Sequence, residues 1–262
     1  DHLPALAENP SGEEALRIFS DYRETLSDLV LHDFSENWVK WAHENGFLTK
    51  YQAHGCPGNL LDIYATADIP ECESFYGTKF DIPGVRWEES DALQAYPDLI
   101  LLKFASSAAN ISGKDLSSSE TFTWLREHFK TALSQCKPEL EQIFLSGVNH
   151  VFFHGSTYYP DEAAWPCWKF YASVNFVPNN TIWKDAPYMF DYISRCQSML
   201  QSGASDNEIL IYWPFHDVIA KDRKGEILLQ LAINNKEEWL TKTPFYKIAR
   251  NLIDKGYSVD FV

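Results

Sequence analysis

Basic residues are scarce in this chain. Its 262 residues carry 22 Lys and Arg against 37 Asp and Glu, a formal net charge of -15. Nucleic acids and anionic membranes both select concentrated positive charge, so neither is an expected partner. Long apolar runs are missing as well: no stretch approaches the roughly 20 residues of a membrane span, and the first residues lack a signal-peptide pattern. Cys56, Cys72, Cys136, Cys167 and Cys196 are odd in number and contain no C-x-x-C pair, which disfavours a zinc site or a dense disulfide framework. Cys56 and Cys72 flank one segment and are either bridged or free. Gly-x-Ser-x-Gly, Gly-x-Gly-x-x-Gly and the phosphate-binding P-loop are absent, which lowers the expectation of a serine hydrolase, a dinucleotide enzyme or a nucleotide hydrolase. No internal repeat or low-complexity tract is present.

Apolar and aromatic material is plentiful. A hydrophobic content of 45% suits one large domain or two small ones. Among 9 Trp, 13 Tyr and 17 Phe, the group Tyr158, Tyr159, Trp165, Trp168 and Tyr171 crowds a single Pro-containing stretch. Core filling is the default use of such rings, but flat faces with polar edges also suit the apolar faces of sugars.

Glu13 to Gly46 has helical spacing, with a break expected near His32-Asp33. Short strand-like segments follow at residues 47–53, 64–69, 99–104, 116–122, 148–154 and 209–213, with helices expected at 123–136, 138–145 and 186–201. Alternation of this kind argues for parallel strands with right-handed crossovers. The expectation is an α/β fold of (β/α)8 TIM-barrel type, incomplete in this chain, with about six of the eight strands. Residues 1–245 form the barrel portion. Residues 246–262 read as helix then strand, the start of a following domain or a C-terminal extension.

In such barrels the chemistry sits at the C-terminal strand ends. Those ends fall on His54, then Asp68 and Glu71, then Ser106 and Ser107, then Glu120, His154, and His216 with Asp217. Asp68, Glu71 and Glu73 put three carboxylates within six positions. Such crowding is costly unless the group binds a cation, pairs with donors or handles protons. Glu71 and Glu120 lie 49 positions apart with one expected strand between them, which would set them facing across the barrel mouth. A pair of carboxylates in that position can act as acid and base on a glycosidic bond. Unrelated surface ion pairs would give the same spacing. His54, His150, His154 and His216 are scattered without metal-ligand spacing. Asp68, Glu71, Glu73 and Asp217 are hard oxygen donors of the kind calcium takes, although no EF-hand pattern accompanies them.

Several ordered motifs then carry a resemblance: Gln52-Ala-His-Gly-x-Pro-x-Asn-Leu-Leu-Asp-x-Tyr, Ala67-Asp-Ile-Pro-Glu-x-Glu, Ala105-Ser-Ser-Ala-Ala-Asn-Ile-Ser-Gly-Lys, Ser118-Ser-Glu-Thr-Phe-Thr, Gly147-Val-Asn-His-Val-Phe-Phe-His-Gly, Trp165-Pro-x-Trp-x-Phe-Tyr-Ala-Ser and Tyr212-Trp-Pro-x-His-Asp. In this order, over residues 35–220, the chain resembles the catalytic barrel of the α-L-rhamnosidases of glycoside hydrolase family 106. The resemblance implies a calcium-assisted, inverting attack on a terminal L-rhamnosyl bond by a large multidomain hydrolase, of which this is the barrel part. Glu71 would be the general acid and Glu120 the base that activates water, with Glu73 in reserve for either role. His54, Asp68, Glu73, His154, Trp165 and Trp168 would shape the sugar site. Cys167 and Asn110 depart from the pattern, which has Gly and His there. A carbohydrate substrate and further domains of one longer polypeptide are the implied partners, with a secreted or periplasmic location. The alternatives are a non-catalytic carbohydrate-binding barrel and a piece inactive without its missing domains.

Overall fold

A helix of three segments opens the structure. α1 is Pro4–Glu8. α2, Glu13–Asp28, runs directly into a π-helical segment, Leu29–Glu36, and on into α3, Asn37–Glu44. The break expected near His32-Asp33 is thus a change of pitch. Ser35 Oγ donates to Val30 O, five residues back, at 2.8 Å, which supports the wider π register. Gly46 stops the helix at φ +78°, a conformation that costs glycine little. The computed structural model describes residues 2, 4–8, 11–86, 97–125, 129–221, 223 and 225–262.

Strand β1 is Lys50–Tyr51, α4 is Leu60–Thr66 and β2 is Ile69–Phe75. The strand expected from residue 64 therefore starts five residues later. Asn59 caps α4 by accepting Leu61 N, and Leu60, Ile63 and Tyr64 form its buried face.

A larger correction concerns residues 99–104. They belong to helix α5, Leu99–Ile111, which is capped by Asp98 accepting Ile100 N at 2.9 Å. Its apolar run, interrupted by Lys103, fits a buried strand as well as a buried helix, and the cap and length favour helix. Ten of its residues, Ile100 to Ala109, are buried, because α5 packs against β2 and also against β6, defined below. Ser106 and Ser107 are interior helix residues, not strand ends.

β3 is Ser118–Thr123, α6 is Leu133–Leu145, β4 is His150–Phe153 and α7 is Ala186–Leu200. One helix, α6, thus replaces the two expected at 123–136 and 138–145. The four strands form a parallel sheet in the order β1-β2-β3-β4.

β5, Ile209–Ile211, does not extend that sheet. Helices α8 (Phe215–Ile219), α9 (Lys236–Trp239) and α10 (Pro244–Asp254) follow it, and it pairs in parallel with β6, Val259–Phe261. Among the described residues the sheet has four strands and is not closed, so the six-strand partial barrel expected from sequence is corrected to a four-stranded parallel sheet plus a separate pair.

Phe104 sits where these layers meet, with its ring 5.1 Å from Trp213 and 5.3 Å from Phe261. Phe245, Ala249, Val259 and Phe261 share this core with Leu60, Ile100 and Phe104. Truncating so enclosed a ring to Ala costs about 3–5 kcal/mol. A second cluster, centred on Phe122, Trp124, Leu140 and Phe176, supports the far end of β3. All five cysteines are free thiols. Burial pushes Cys56 and Cys72 up to about 12. No described helix is long and apolar enough to cross a membrane.

Candidate active site

Strand register assembles the site. Partners on adjacent parallel strands share a face, and alternate residues on one strand share a face. Glu71 pairs with Ser118 and Ser118 with His150, while Glu73 pairs with Glu120 and Glu120 with Phe152. Those six side chains therefore lie on one face of the sheet. Cys72 points the other way, into the core. β2 and β3 are immediate neighbours, so Glu71 and Glu120 do not face each other across a mouth. They stand on one wall.

Gln52, just beyond β1, joins them. Its Nε2 is 3.0 Å from Glu71 Oε1 and 2.7 Å from Glu120 Oε2, so those two oxygens are at most 5.7 Å apart. Glu71 Oε1 also accepts Lys50 Nζ at 2.8 Å, and Oε2 accepts Ser118 Oγ at 2.7 Å. The Lys50 ammonium stands 4.0 Å from the Phe152 ring centroid, a cation–π contact. Lys50, Gln52 and Ser118 all donate to Glu71, and the residue is buried. A general acid must carry a proton and reach the glycosidic oxygen. The Glu71 expected in that role is instead enclosed by its own chain.

Glu73 Oε2 is 3.0 Å from His54 Nε2, in a half-buried pair. Gly55 lets the chain turn away just after His54, at φ +87°. Gly55 N bonds Leu231 O at 2.9 Å and Leu231 N bonds Cys56 O at 3.1 Å, which fixes the turn. His154 follows β4, and its ring meets Phe170 edge-on at 5.2 Å. The Nδ1 atoms of both His54 and His154 are buried without a hydrogen-bond partner. A buried imidazole nitrogen left without a partner is costly.

The structure takes Asp68 away from this group. It precedes β2, at the opposite end from Glu73, and binds His43 Nε2 at 2.9 Å and Thr49 N at 2.7 Å. Burial pushes the Asp68 carboxyl up, but the His43 and Thr49 hydrogen bonds outweigh it and leave it below the usual value. His216 and Asp217 lie in α8, beside the separate strand pair, and His216 faces Glu24 at 3.8 Å. Trp165 and Trp168 occupy the long loop after β4 and are 72% and 58% exposed, with the Tyr158 and Trp168 rings 6.4 Å apart. Cys167 between them has φ +66°, a left-handed conformation that suits the Gly expected at this position.

Sequence reasoning passed over Gln52, Lys50 and Ser118. The available signal was parity: on one strand, residue 50 or 52 faces the same way as 54.

Among the described residues, no group of three or more His, Cys, Asp or Glu side chains could hold a metal ion. Both Glu71 oxygens are occupied, and Glu73 and Glu120 each accept a protein donor. These three carboxylates are therefore engaged by the chain's own donors.

The glycoside hydrolase family 106 profile, described as alpha-L-rhamnosidase, matches residues 2–221. A relative from Formosa agariphila, named putative beta-glucuronidase, is 27% identical over 216 residues, covering 80% of this chain and 17% of its own length. The structure of a rhamnosidase from Novosphingobium sp. PP1Y superposes with a TM-score of 0.60 at 22% identity, over 76% of this chain and 18% of that one, a likeness of fold. The chain spans less than a fifth of the length of either protein.

Proposed function

The chain belongs to glycoside hydrolase family 106, the alpha-L-rhamnosidases, and from that footing we propose that it supplies a catalytic wall for hydrolysis of a terminal L-rhamnosyl bond. The supporting observation is the row of carboxylates on one face of the parallel sheet, Glu73 beside Glu120, backed by Glu71 and joined by Gln52.

Glu120 has one oxygen tied to Gln52, which leaves the other for a water proton. It keeps the role of base. Glu73 takes the role of acid in place of Glu71, because His54 beside it can replace a proton given to the leaving oxygen. Glu71, fixed by three donors, anchors the wall. An inverting course is what membership of the family implies, with Glu73 and Glu120, direct register partners on β2 and β3, in the acid and base roles. The exposed Trp165 and Trp168 would border the sugar, with His54 and His154 beside it.

The four-stranded sheet is read as part of a (β/α)8 barrel within a longer, multidomain polypeptide acting on a polysaccharide or glycoside outside the cytoplasm. Strand order 1-2-3-4 without reversal supports the barrel over an open doubly wound sheet. The test is incubation of the complete protein with an aryl α-L-rhamnoside. Release of rhamnose is expected, with proton NMR of the first-formed sugar showing the inverted anomer. Calorimetric binding of rhamnosides without release would indicate a carbohydrate-binding barrel instead.

A further inference from the structure

Among the described residues, Gln52 is the one side chain that hydrogen-bonds two of the three carboxylates. We propose that it is a positioning residue for Glu120, one that sets both the orientation and the titration of that carboxylate. The proposal rests on the glycosidase reading above for its consequence in turnover, but not for its effect on ionisation.

The geometry carries it. A primary amide nitrogen has two N–H groups, and here one serves each carboxylate, at 3.0 Å to Glu71 and 2.7 Å to Glu120. Two anions within 5.7 Å repel, so each would favour protonation of the other unless something holds both charges. Lys50 reaches Glu71 but has no contact with Glu120. Glu120 thus depends on a neutral donor. A lysine in Gln52's place would quench the negative charge that a base needs, while an apolar residue would leave the repulsion unopposed. Gln52 also holds the Oε2 edge of Glu120, and among the described residues no side-chain donor reaches Oε1.

The other groups around Glu120 are Lys50 and His54 on the β1 side, Glu71 and Glu73 on β2, Ser118 on β3, and His150, Phe152 and His154 on β4. None of them is recorded within hydrogen-bonding distance of its side chain; Gln52 is. A donor to the charged form lowers a carboxylate's titration midpoint, so its removal must raise it.

The test uses the complete protein with Gln52→Met, which keeps length and volume without donors, and Gln52→Ala. Glutamate side-chain carboxyls labelled with carbon-13 are titrated by NMR, with Glu120→Gln used to assign the Glu120 resonance. The expected result in both variants is an upward shift of the Glu120 midpoint by about half a unit or more. In turnover, kcat falls roughly 10- to 100-fold, KM stays within about twofold, and the acidic limb of kcat/KM moves to higher pH. Melting curves confirm that each variant is folded, and Gln52→Met serves if Gln52→Ala is not. An unmoved Glu120 midpoint in the folded Met variant overturns the proposal whether or not the wild type releases rhamnose. A moved midpoint in a protein that releases no sugar supports the positioning role and rejects the glycosidase reading.

Discussion

Trp124 donates its indole N–H to Glu139 Oε1 at 2.7 Å, in a place where neither side chain meets water. Glu139 Oε2 accepts Thr78 N at 3.0 Å. This carboxyl on α6 ties the segment after β2 to the end of β3, directly behind the site.

Burial pushes Glu139 up from 4.5 to about 7, although its hydrogen bonds pull the other way. The folded state therefore holds this proton more tightly than the unfolded chain. Its contribution to stability is full below pH 4.5 and is lost as pH rises towards 7, by on the order of 3 kcal/mol. Urea unfolding at pH 5 and pH 8 is expected to show this loss in the wild type. Glu139→Gln should flatten the difference. Equal pH slopes in the two proteins would refute the assignment.

Asp68 behaves oppositely. Its carboxyl is held below the usual value, so the stability it adds is present at neutral pH and lost as pH falls through its folded-state titration. Asp68→Asn should lower the melting temperature at pH 7 more than at pH 3. Because Asp68 lies at the end of β2 away from Glu73, kcat should stay within about twofold. A large fall in kcat without a fall in stability would return Asp68 to the sugar site.

Asp260, buried in β6, accepts Ser107 Oγ at 2.9 Å, Asn207 Nδ2 at 2.8 Å and Asn110 Nδ2 at 3.1 Å, and faces buried Lys103 at 3.3 Å. Burial lowers Lys103 while Asp260 raises it. Asp260→Ala leaves the lysine unpaired and should cost about 3–5 kcal/mol in urea unfolding. Lys103→Met combined with Asp260→Leu should recover part of that loss. A double variant as unstable as Asp260→Ala would show that the hydrogen bonds, not the charge, dominate.

Trp165→Ala and Trp168→Ala remove exposed rings, so stability should change by less than about 0.5 kcal/mol. Loss of a sugar-stacking surface should raise KM roughly 2- to 10-fold while kcat holds, following the 0.5–1.5 kcal/mol of ring contacts. Steady-state kinetics on a rhamnoside series measures this. Unchanged KM in both variants would remove the two rings from the site.

Legibility from sequence followed the length and polarity of each segment. β3 and β4 were readable because strand-favouring residues lie between turn signals, and the register of β3 with β2 brought Glu73 and Glu120 together. α5 was not, because a run such as Leu99 to Phe104 fits any fully buried element. The helix is buried nearly all round, since it packs on β2 and β6 together, and its polar Lys103, Ser107 and Asn110 turn to Asp260. That misreading placed an extra strand between Glu71 and Glu120 and turned one wall into two. Gln52 was overlooked for a different reason. Its role depends on the side-chain positions of two other strands, and nothing local in Tyr51-Gln52-Ala53 marks it. Asp68 misled because the Ala-Asp-Ile-Pro-Glu-x-Glu motif straddles the start of β2, so its first acidic residue and its last serve opposite ends.

The most direct measurement is kcat for Glu120→Gln and Glu73→Gln in the complete protein across rhamnosides of increasing leaving-group acidity. The account predicts that Glu120→Gln loses about 10²- to 10⁴-fold on every substrate, the usual cost of removing a general base. Glu73→Gln should lose as much on poor leaving groups and far less on activated aryl rhamnosides, which need no proton. Wild-type kcat in both variants on an unactivated rhamnoside would contradict it.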